Sequence, residues 1–560
     1  MVADAEKNRK LINSKEWFFV IVLILILLAL TTSPYVFGYV SAPSGQQFMG
    51  FLLNVSDHAQ YFSWYREFQS SFLIENKLTP EPNEPVFFNL LWWVLAKVGL
   101  WTGLEVVQIF QVFRLFAGAA FIVVIYWFCS LFFKRVWERK IASLVIACGS
   151  GLGWILVVLK YTLTHGELLF PEDVHSRYGT NSFLCIMSFP HFTIANALIV
   201  ATLALVLIGY KRQRLSYSFA AGLVALVLAW QHAYDLITIY AVLLAFAIFE
   251  AVKRKGIPWY LIKNGLIVGF LSCWAAFYSL YITNAYPVWQ QVLAQFGNAG
   301  IFTADPFHML IVMGLPLILA VLTFDGLVPL QGKDPDEVLI KTWFVVTFFV
   351  GYLPTLYQVH LTNCWQVPVG ILATRGLFHR VIPYVNSVME NARGRRWSQK
   401  QLSRMAGAAF VLLVIPTNVY LLAWRFVDLN RHGYPWFLYQ DDIVALAWLE
   451  ENTAPSDVVL SARTVGQYIP AFSGNKAFLA HWAATVDFFG KTEMVERFFD
   501  VQTDDGSRLD IIREFDVRYI LRGEAERALG WYDPSTSPYL VEVFSTPRGQ
   551  VFQVDLEVAQ

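Results

Sequence analysis

Eleven apolar runs, most of them about 20 residues long, decide what this chain can fold into. Hydrocarbon offers no water to pair with an open backbone, so a segment crossing it must close its own hydrogen bonds, and a helix of about 20 apolar residues does this. The runs lie at about 17–40, 106–133, 141–163, 190–210, 215–231, 233–252, 259–284, 307–324, 342–357, 365–382 and 405–425. Only 15% of the residues are charged, against about a quarter in soluble domains, which argues against a soluble enzyme. Aromatics make up 16%, which suits a protein with two lipid–water interfaces to line. The five cysteines fall in or beside the apolar runs, without the spacing of a disulfide framework or a CxxC zinc site.

Cytoplasmic flanks of spanning helices are enriched in Lys and Arg. Lys7, Arg9, Lys10 and Lys15 precede the first run and place the N-terminus inside. That run lacks a small-residue cleavage site, so it reads as a retained helix rather than a signal peptide. Alternate threading then puts KRVWERK (134–140), KRQR (211–214), KRK (253–255), Lys333 with Lys341, and ARGRRWSQK (392–400) all on the cytoplasmic side. The agreement requires that 85–100, PVFFNLLWWVLAKVGL, dips into the outer interface without crossing. An odd number of crossings leaves the tail outside. The expectation is a multi-pass protein of the plasma (inner) membrane, with a membrane domain at 1–425, outer loops at 41–105 and 164–189, and an extracytoplasmic domain at 426–560.

Charge supports the division. Residues 1–425 carry 31 Lys and Arg against 21 Asp and Glu, whereas 426–560 carry 11 against 21. An acidic tail without a basic stripe argues against nucleic acid as a partner. Its periodicity predicts helices at DDIVALAWLEENT, KTEMVERFF and RLDIIREF, and strands at DVVLS, VRYIL, YLVEVFS and QVFQV, a small α/β domain.

Residues able to do chemistry collect on the outer side. Nine of the ten histidines, all but His379, thread to outer loops, outer helix ends or the tail. In the first outer loop, NVSDHAQYFSWYREF holds Asp57, followed by His58; partial desolvation at such a boundary raises a carboxylate's basicity and suits it to take a proton. Ser56 and Asp57 are also good helix N-caps. The second outer loop holds Glu172, Asp173 and His175, and with Asp57 this set could bind a divalent cation. His191, His232 and His360 sit at outer helix rims. Arg114 lies eight residues into the second run, where a charge is costly unless it faces a polar cavity or an anion, so it is a candidate for a lipid phosphate; snorkelling to the surface is the alternative. In the tail, His481 and Trp482 lie on a stretch, 473–491, that could cover a cleft and stack on sugar, or could simply pack.

An inside N-terminus, one crossing, a long outer loop with an early Asp and a Pro-introduced interfacial helix, NEPVFFNLLWWVLAKVGL, resemble the GT-C class of integral membrane glycosyltransferases. The tail, with WLEENTAPSDVVLSARTVGQYIPAFSG, AFLAHWAATVDFFGK and VRYILRGEAER, resembles the C-terminal domain of uncharacterised bacterial members. The resemblance implies a GT-C-like helical membrane fold with a small extracytoplasmic α/β domain. It implies a polyprenyl-phosphate-linked sugar as donor, inverting transfer to an envelope glycan, lipid or protein acceptor, Asp57 as catalytic base, and Glu172 and Asp173 as assisting or metal-holding acids. Two departures matter: SDHAQY lacks the paired acid of some relatives, which puts metal dependence in doubt, and HWAATVDF stands where oligosaccharyltransferases carry a Trp-Trp-Asp element, which argues against transfer of a preassembled glycan to Asn. A transporter or flippase of a lipid-linked or small substrate, and a non-catalytic scaffold in an envelope assembly, are the competing readings. The absence of an internal repeat and the scarcity of polar residues in the inner half count against transport.

Overall fold

The computed structural model describes residues 12–163, 178–300, 302–325, 334–393 and 398–557. The chain forms two compact units, one made of 1–33, 112–277 and 302–424, the other of 34–111, 278–301 and 425–560.

Six helices among the described residues are long and apolar enough to cross a membrane: Ser14–Ser41, Val106–Phe132, Pro190–Arg212, Asp235–Arg254, Trp259–Ala285 and Lys400–Leu429. A pair bent by 51°, Val136–Cys148 and Gly153–Leu163, brings the number to seven. The chain is therefore a multi-pass membrane protein. The count of eleven crossings is not reached by long helices: the other four runs lie on the helices Leu215–Ala229, Pro306–Val321, Pro335–Val350 and Gln366–Gly376, of 15, 16, 16 and 11 residues. The run at 85–100, expected not to cross, forms the 13-residue helix Leu90–Thr102.

The first unit shows why apolar runs need not become full-length helices. At the bend, Ser150 N donates to Val414 O (2.7 Å), Leu152 N to Ile311 O (2.8 Å) and Thr417 Oγ1 to Gly151 O (2.9 Å), while Asn418 Nδ2 donates to Cys148 O (2.8 Å). Neighbouring protein thus satisfies the backbone groups that the break frees, the condition for irregular backbone inside a membrane protein. Gly151 is required here, since a Cβ would lie 2.0 Å from Ile311 O. Opposite it, Gly314 takes φ 57°, a left-handed conformation that favours glycine. Gln366–Gly376 is almost wholly buried, so protein rather than lipid surrounds it.

In the second unit the tail forms a five-stranded sheet from β3 (Val458–Leu460), β4 (Lys476–Ala477), β5 (Val517–Arg522), β6 (Leu540–Ser545) and β7 (Gln550–Val554), in the order β4-β3-β5-β7-β6. β3 pairs parallel with β4 and β5, and β7 antiparallel with β5 and β6. The helices Gln440–Asn452, Phe488–Phe499 and Asp505–Glu514 stand where periodicity predicts them. Leu460, Phe478, Val495, Phe498, Ile512, Ile520 and Phe552 share one apolar core. The tail also returns to the segment that follows the first helix, because β1 (Gln46–Phe48) pairs antiparallel with β2 (Phe437–Tyr439).

One buried acid gives this unit a pH dependence. Glu526 is fully buried and accepts from the amides of Ala462 and Gly523, both at 2.7 Å. Burial, with Asp442 nearby, nevertheless pushes its pKa up to about 7. The folded protein therefore holds this proton more tightly than the unfolded chain. The stabilisation is fully present below the unfolded value near 4.5 and is lost as pH rises through about 7. At about 1.4 kcal/mol per pKa unit, that window costs roughly 3 kcal/mol. Thermal unfolding of wild type and Glu526→Gln from pH 4.5 to 8 is expected to show the wild type losing about this much more stability across the range; parallel pH profiles would contradict the assignment.

Candidate functional site

Asp57 lies in the first turn of the helix Val55–Ser70, whose N-cap is Asn54 in the left-handed region (φ 46°). Neither Ser56 nor Asp57 caps this helix. Ser56 Oγ donates to Gln467 Oε1 at 2.8 Å, and the Asp57 carboxylate turns to the tail. His481 Nε2 lies 3.0 Å and Trp482 Nε1 3.1 Å from Asp57 Oδ1, while Asn54 Nδ2 lies 3.2 Å from Oδ2. His481 Nδ1 accepts from the amides of Ala483 and Ala484, each at 3.1 Å. Those two amides fix the tautomer: Nδ1 carries no hydrogen, so Nε2–H donates to the carboxylate.

The segment carrying His481 and Trp482 is buried almost throughout from 473 to 486. Its backbone is pinned by side chains of the same unit. Asn76 Nδ2 donates to Ala484 O (2.8 Å), Gln295 Nε2 to Ala483 O (3.0 Å) and Thr485 O (2.8 Å), and Asn298 Nδ2 to Trp482 O (3.1 Å). Thr485 Oγ1 donates to Leu78 O at 2.6 Å. A loop held at so many polar groups can aim two ring N–H groups at one oxygen. His481 and Trp482 therefore orient Asp57 through these two N–H groups, and the Trp482 ring stays partly exposed.

Electrostatics correct a second expectation. Burial alone would raise the Asp57 carboxyl, but its interactions with His481 first, and then with His58 and Trp482, outweigh it and hold the group below the ordinary carboxylate range. Asp57 is thus an ionised acceptor at neutral pH, not a carboxyl of raised basicity. Arg463, which nothing in the local sequence pattern singles out, donates from Nη2 to Ser56 Oγ (3.2 Å) and lies 5.1 Å over the Phe488 ring. It is the cation beside Asp57, whose negative charge acts on it in turn. Along the helix, Tyr61 and Trp64 follow Asp57 at positions four and seven on, half-buried, with Tyr61 stacked on Trp92 (5.0 Å) and Trp64 against Phe87 (4.5 Å). This spacing puts them on the face that carries Asp57.

Gly466 supports the arrangement from beneath. A Cβ there would lie 2.1 Å from Leu479 O, two residues before His481. Gly466→Ala is expected to lower stability by about 1–3 kcal/mol and to weaken any activity that depends on Asp57, measured together as thermal unfolding and turnover.

The remaining sequence candidates fall as follows. His58 is 1% exposed, stacks on Phe51 (5.3 Å) and meets Asn54 O through Nδ1 at 2.9 Å. That position is a core position rather than a substrate-facing one. In the first unit, Arg114 is 1% exposed and donates to Thr31 Oγ1 (3.4 Å) and Thr32 Oγ1 (2.9 Å), so it does not snorkel. His191, His232 and His360 are brought together around Phe192: His191 and His232 ring centroids stand 5.6 Å apart, and Phe192 lies 5.1 Å from His232 and stacks on His360 at 5.4 Å. Asp235 Oδ2 stands 3.3 Å from His232 Nδ1, and Asn363 Nδ2 donates to Asp235 Oδ1 at 3.0 Å. Glu172, Asp173 and His175 lie outside the described residues.

Among the described residues no three His, Cys, Asp or Glu side chains group as metal ligands. Among the described residues, the donors around Asp57 do not by themselves make up a divalent-cation site. They are a single carboxylate whose nearest side-chain nitrogens, on His481 and Trp482, both present N–H to it, whereas a metal-bound imidazole offers a bare nitrogen.

No family model and no curated protein sequence matches the chain. Solved structures do. The archaeal oligosaccharyltransferase AglB from Archaeoglobus fulgidus, in complex with an inhibitory peptide and a dolichol-phosphate, superposes with a TM-score of 0.58 at 11% identity, over 91% of this chain and 70% of that one. ArnT from Cupriavidus metallidurans bound to undecaprenyl phosphate gives 0.51 at 13% identity, over 96% and 98%. The arabinofuranosyltransferase AftD from Mycobacteria gives 0.53 at 13% identity, over 97% of this chain and 40% of that one. At these identities the fold is what is shared. It is the GT-C-like helical membrane fold that the sequence resemblance implied.

Proposed function

We propose that this protein is a membrane glycosyltransferase that moves a sugar from a polyprenyl-phosphate-linked donor to an envelope glycan, lipid or protein acceptor on the extracytoplasmic face of the plasma (inner) membrane, with inversion. The observation that carries the reading is the Asp57 carboxylate, ionised and fixed by two ring N–H groups, in a chain whose fold matches transferases solved with polyprenyl phosphates.

Inversion needs one base and a departing anion. Asp57 accepts the proton of the acceptor hydroxyl as its oxygen attacks the anomeric carbon, and the lipid phosphate leaves from the opposite face. His481 and Trp482 orient the base. An oriented base a short distance from its proton lowers the barrier chiefly by avoiding a search for geometry. N–H and cationic groups stabilise the departing phosphate; Arg463 is the cation beside Asp57, and His191, His232 and His360 are candidates for substrate contact in the other unit. Glu172 and Asp173 keep the role that the resemblance gives them, as second-loop acids that assist or would hold a metal, and His175 beside them is a candidate for substrate contact.

The test is an assay in vesicles with purified protein, a polyprenyl-phosphate-linked sugar and a membrane-envelope extract as acceptor. The expected result is release of free polyprenyl phosphate together with a new glycosidic bond of inverted configuration. Intact donor crossing the bilayer without cleavage would favour the transporter reading instead.

A further inference from the structure

The second unit contains a cavity that neither Asp57 nor its partners line. It is formed by Tyr39, Gln47, Phe48, Glu105, Gln108 and Gln111, with Met49, Val107 and Phe472 closing it, and has a volume of about 480 Å³. That is the size range of small-molecule sites. Its parts come from four elements: the last turn of Ser14–Ser41, strand β1, the start of Val106–Phe132 and the end of the short helix Ile469–Phe472.

Its chemistry is unusual for the neighbourhood of a lipid phosphate. Among the described lining residues Glu105 is the one acidic side chain and no basic side chain joins it, so the cavity disfavours anions. Three carboxamides and a phenol surround that carboxylate, and each can both donate and accept. The local geometry orients them: Gln108 Oε1 accepts from Glu105 N at 3.0 Å, and Gln111 Nε2 reaches Gly50 O at 3.3 Å. Gly50 takes φ 80°, and a Cβ there would lie 2.6 Å from Val107 and 3.1 Å from the Tyr39 hydroxyl. The aromatic floor is Tyr39, 49% exposed, which is held edge-on at 5.0 Å by the buried Phe48 ring, itself so close to Gly38 that a Cβ there would stand 2.8 Å from it. An aromatic floor with a rim of amides and one carboxylate matches a ring that carries C–H on one face and hydroxyls around its edge.

We infer that this cavity is a carbohydrate subsite that holds a neutral sugar residue of the acceptor, separate from the Asp57 centre. The involvement of the acceptor rests on the glycosyltransferase reading; the binding of a neutral sugar does not. The cavity connects to the Asp57 helix through the chain itself: Phe48 and Met49 lead to Phe51, which stacks on His58, the residue after Asp57. Occupation of this subsite would favour acceptors longer than the single residue that receives the new bond.

The experiment uses the full chain in detergent micelles and a panel of methyl glycosides of neutral hexoses and pentoses, with the corresponding methyl hexosaminides and inorganic phosphate alongside. Binding is read by saturation-transfer NMR. At least one neutral glycoside is expected to bind. Glu105→Ala and Gln47→Ala, both at exposed positions, are each expected to weaken it about tenfold, and Asp57→Asn is expected to leave it unchanged. In the vesicle assay the same two variants should raise KM for an oligosaccharide acceptor while kcat and the KM for a monosaccharide acceptor stay near wild type. Failure of every neutral glycoside to bind, preference for the hexosaminides or phosphate, or binding indifferent to both variants would overturn the inference. A wild type that binds neutral glycosides at this cavity but transfers no sugar would keep the subsite and remove the glycosyltransferase reading. Normal transfer with unchanged oligosaccharide KM in both variants would do the reverse.

Discussion

Asp57→Asn is expected to reduce sugar transfer from a polyprenyl-phosphate-linked donor by about 10²–10⁴-fold, the range associated with loss of a positioned general base. The substitution keeps the volume of the side chain and leaves Oδ1 to accept from His481 and Trp482, so the helix Val55–Ser70 and the 473–486 segment should stay in place. What disappears is the negative charge and with it the capacity to take a proton. Thermal unfolding within a few degrees of wild type, combined with collapsed turnover and unchanged donor binding, is the expected pattern. Turnover at the wild-type rate would remove Asp57 from the chemistry.

His481→Ala is expected to cost about 10²-fold, because a base freed from one of its two donors on Oδ1 can drift by the order of an ångström, enough for a loss of this size. The variant also has a pH signature that a purely structural role does not produce. His481 contributes to holding the Asp57 carboxyl below its ordinary range against the opposing effect of burial. Without it the pKa of Asp57 rises. The acidic limb of kcat/KM, where the base becomes protonated, should therefore move to higher pH. His481→Gln, which can still offer an N–H, should move the limb back part of the way. A variant that loses activity equally at all pH values would contradict the positioning role. Trp482→Phe removes the other N–H while keeping the ring, and it should shift the limb in the same direction.

Much of this molecule is legible in the amino-acid order where the physics is local. Apolar run length marks membrane helices, and alternation or 3.6-residue spacing in the tail finds the helices Gln440–Asn452, Phe488–Phe499 and Asp505–Glu514 and four of the sheet strands. Asp57 stands out as the first acid after the first helix. What sequence periodicity does not carry is the partner of that acid. His481 lies 424 residues away, and only the return of the tail to the segment after the first helix, through β1 and β2 and the side chains of Asn76 and Gln295, brings it into reach.

Short membrane helices escape for a related reason. A run such as 141–163 looks continuous because hydropathy registers composition and not the carbonyls of Ile311 and Val414 that accept the amides of a broken turn. The pKa direction of Asp57 does not follow from location alone: its boundary position suggests desolvation, while His481, His58 and Trp482 supply the opposing effect. Arg463 and the Tyr39–Glu105 cavity leave no local signature at all, since each is assembled from elements distant in the chain.

If Asp57 is the proton acceptor, an added carboxylate should be able to take its place. The most direct measurement is turnover of Asp57→Ala in vesicles with the polyprenyl-phosphate-linked donor, with and without formate. The account predicts near-zero transfer alone and formate-dependent recovery with the same anomeric configuration as the wild-type product. Wild-type turnover of Asp57→Ala without formate would contradict it.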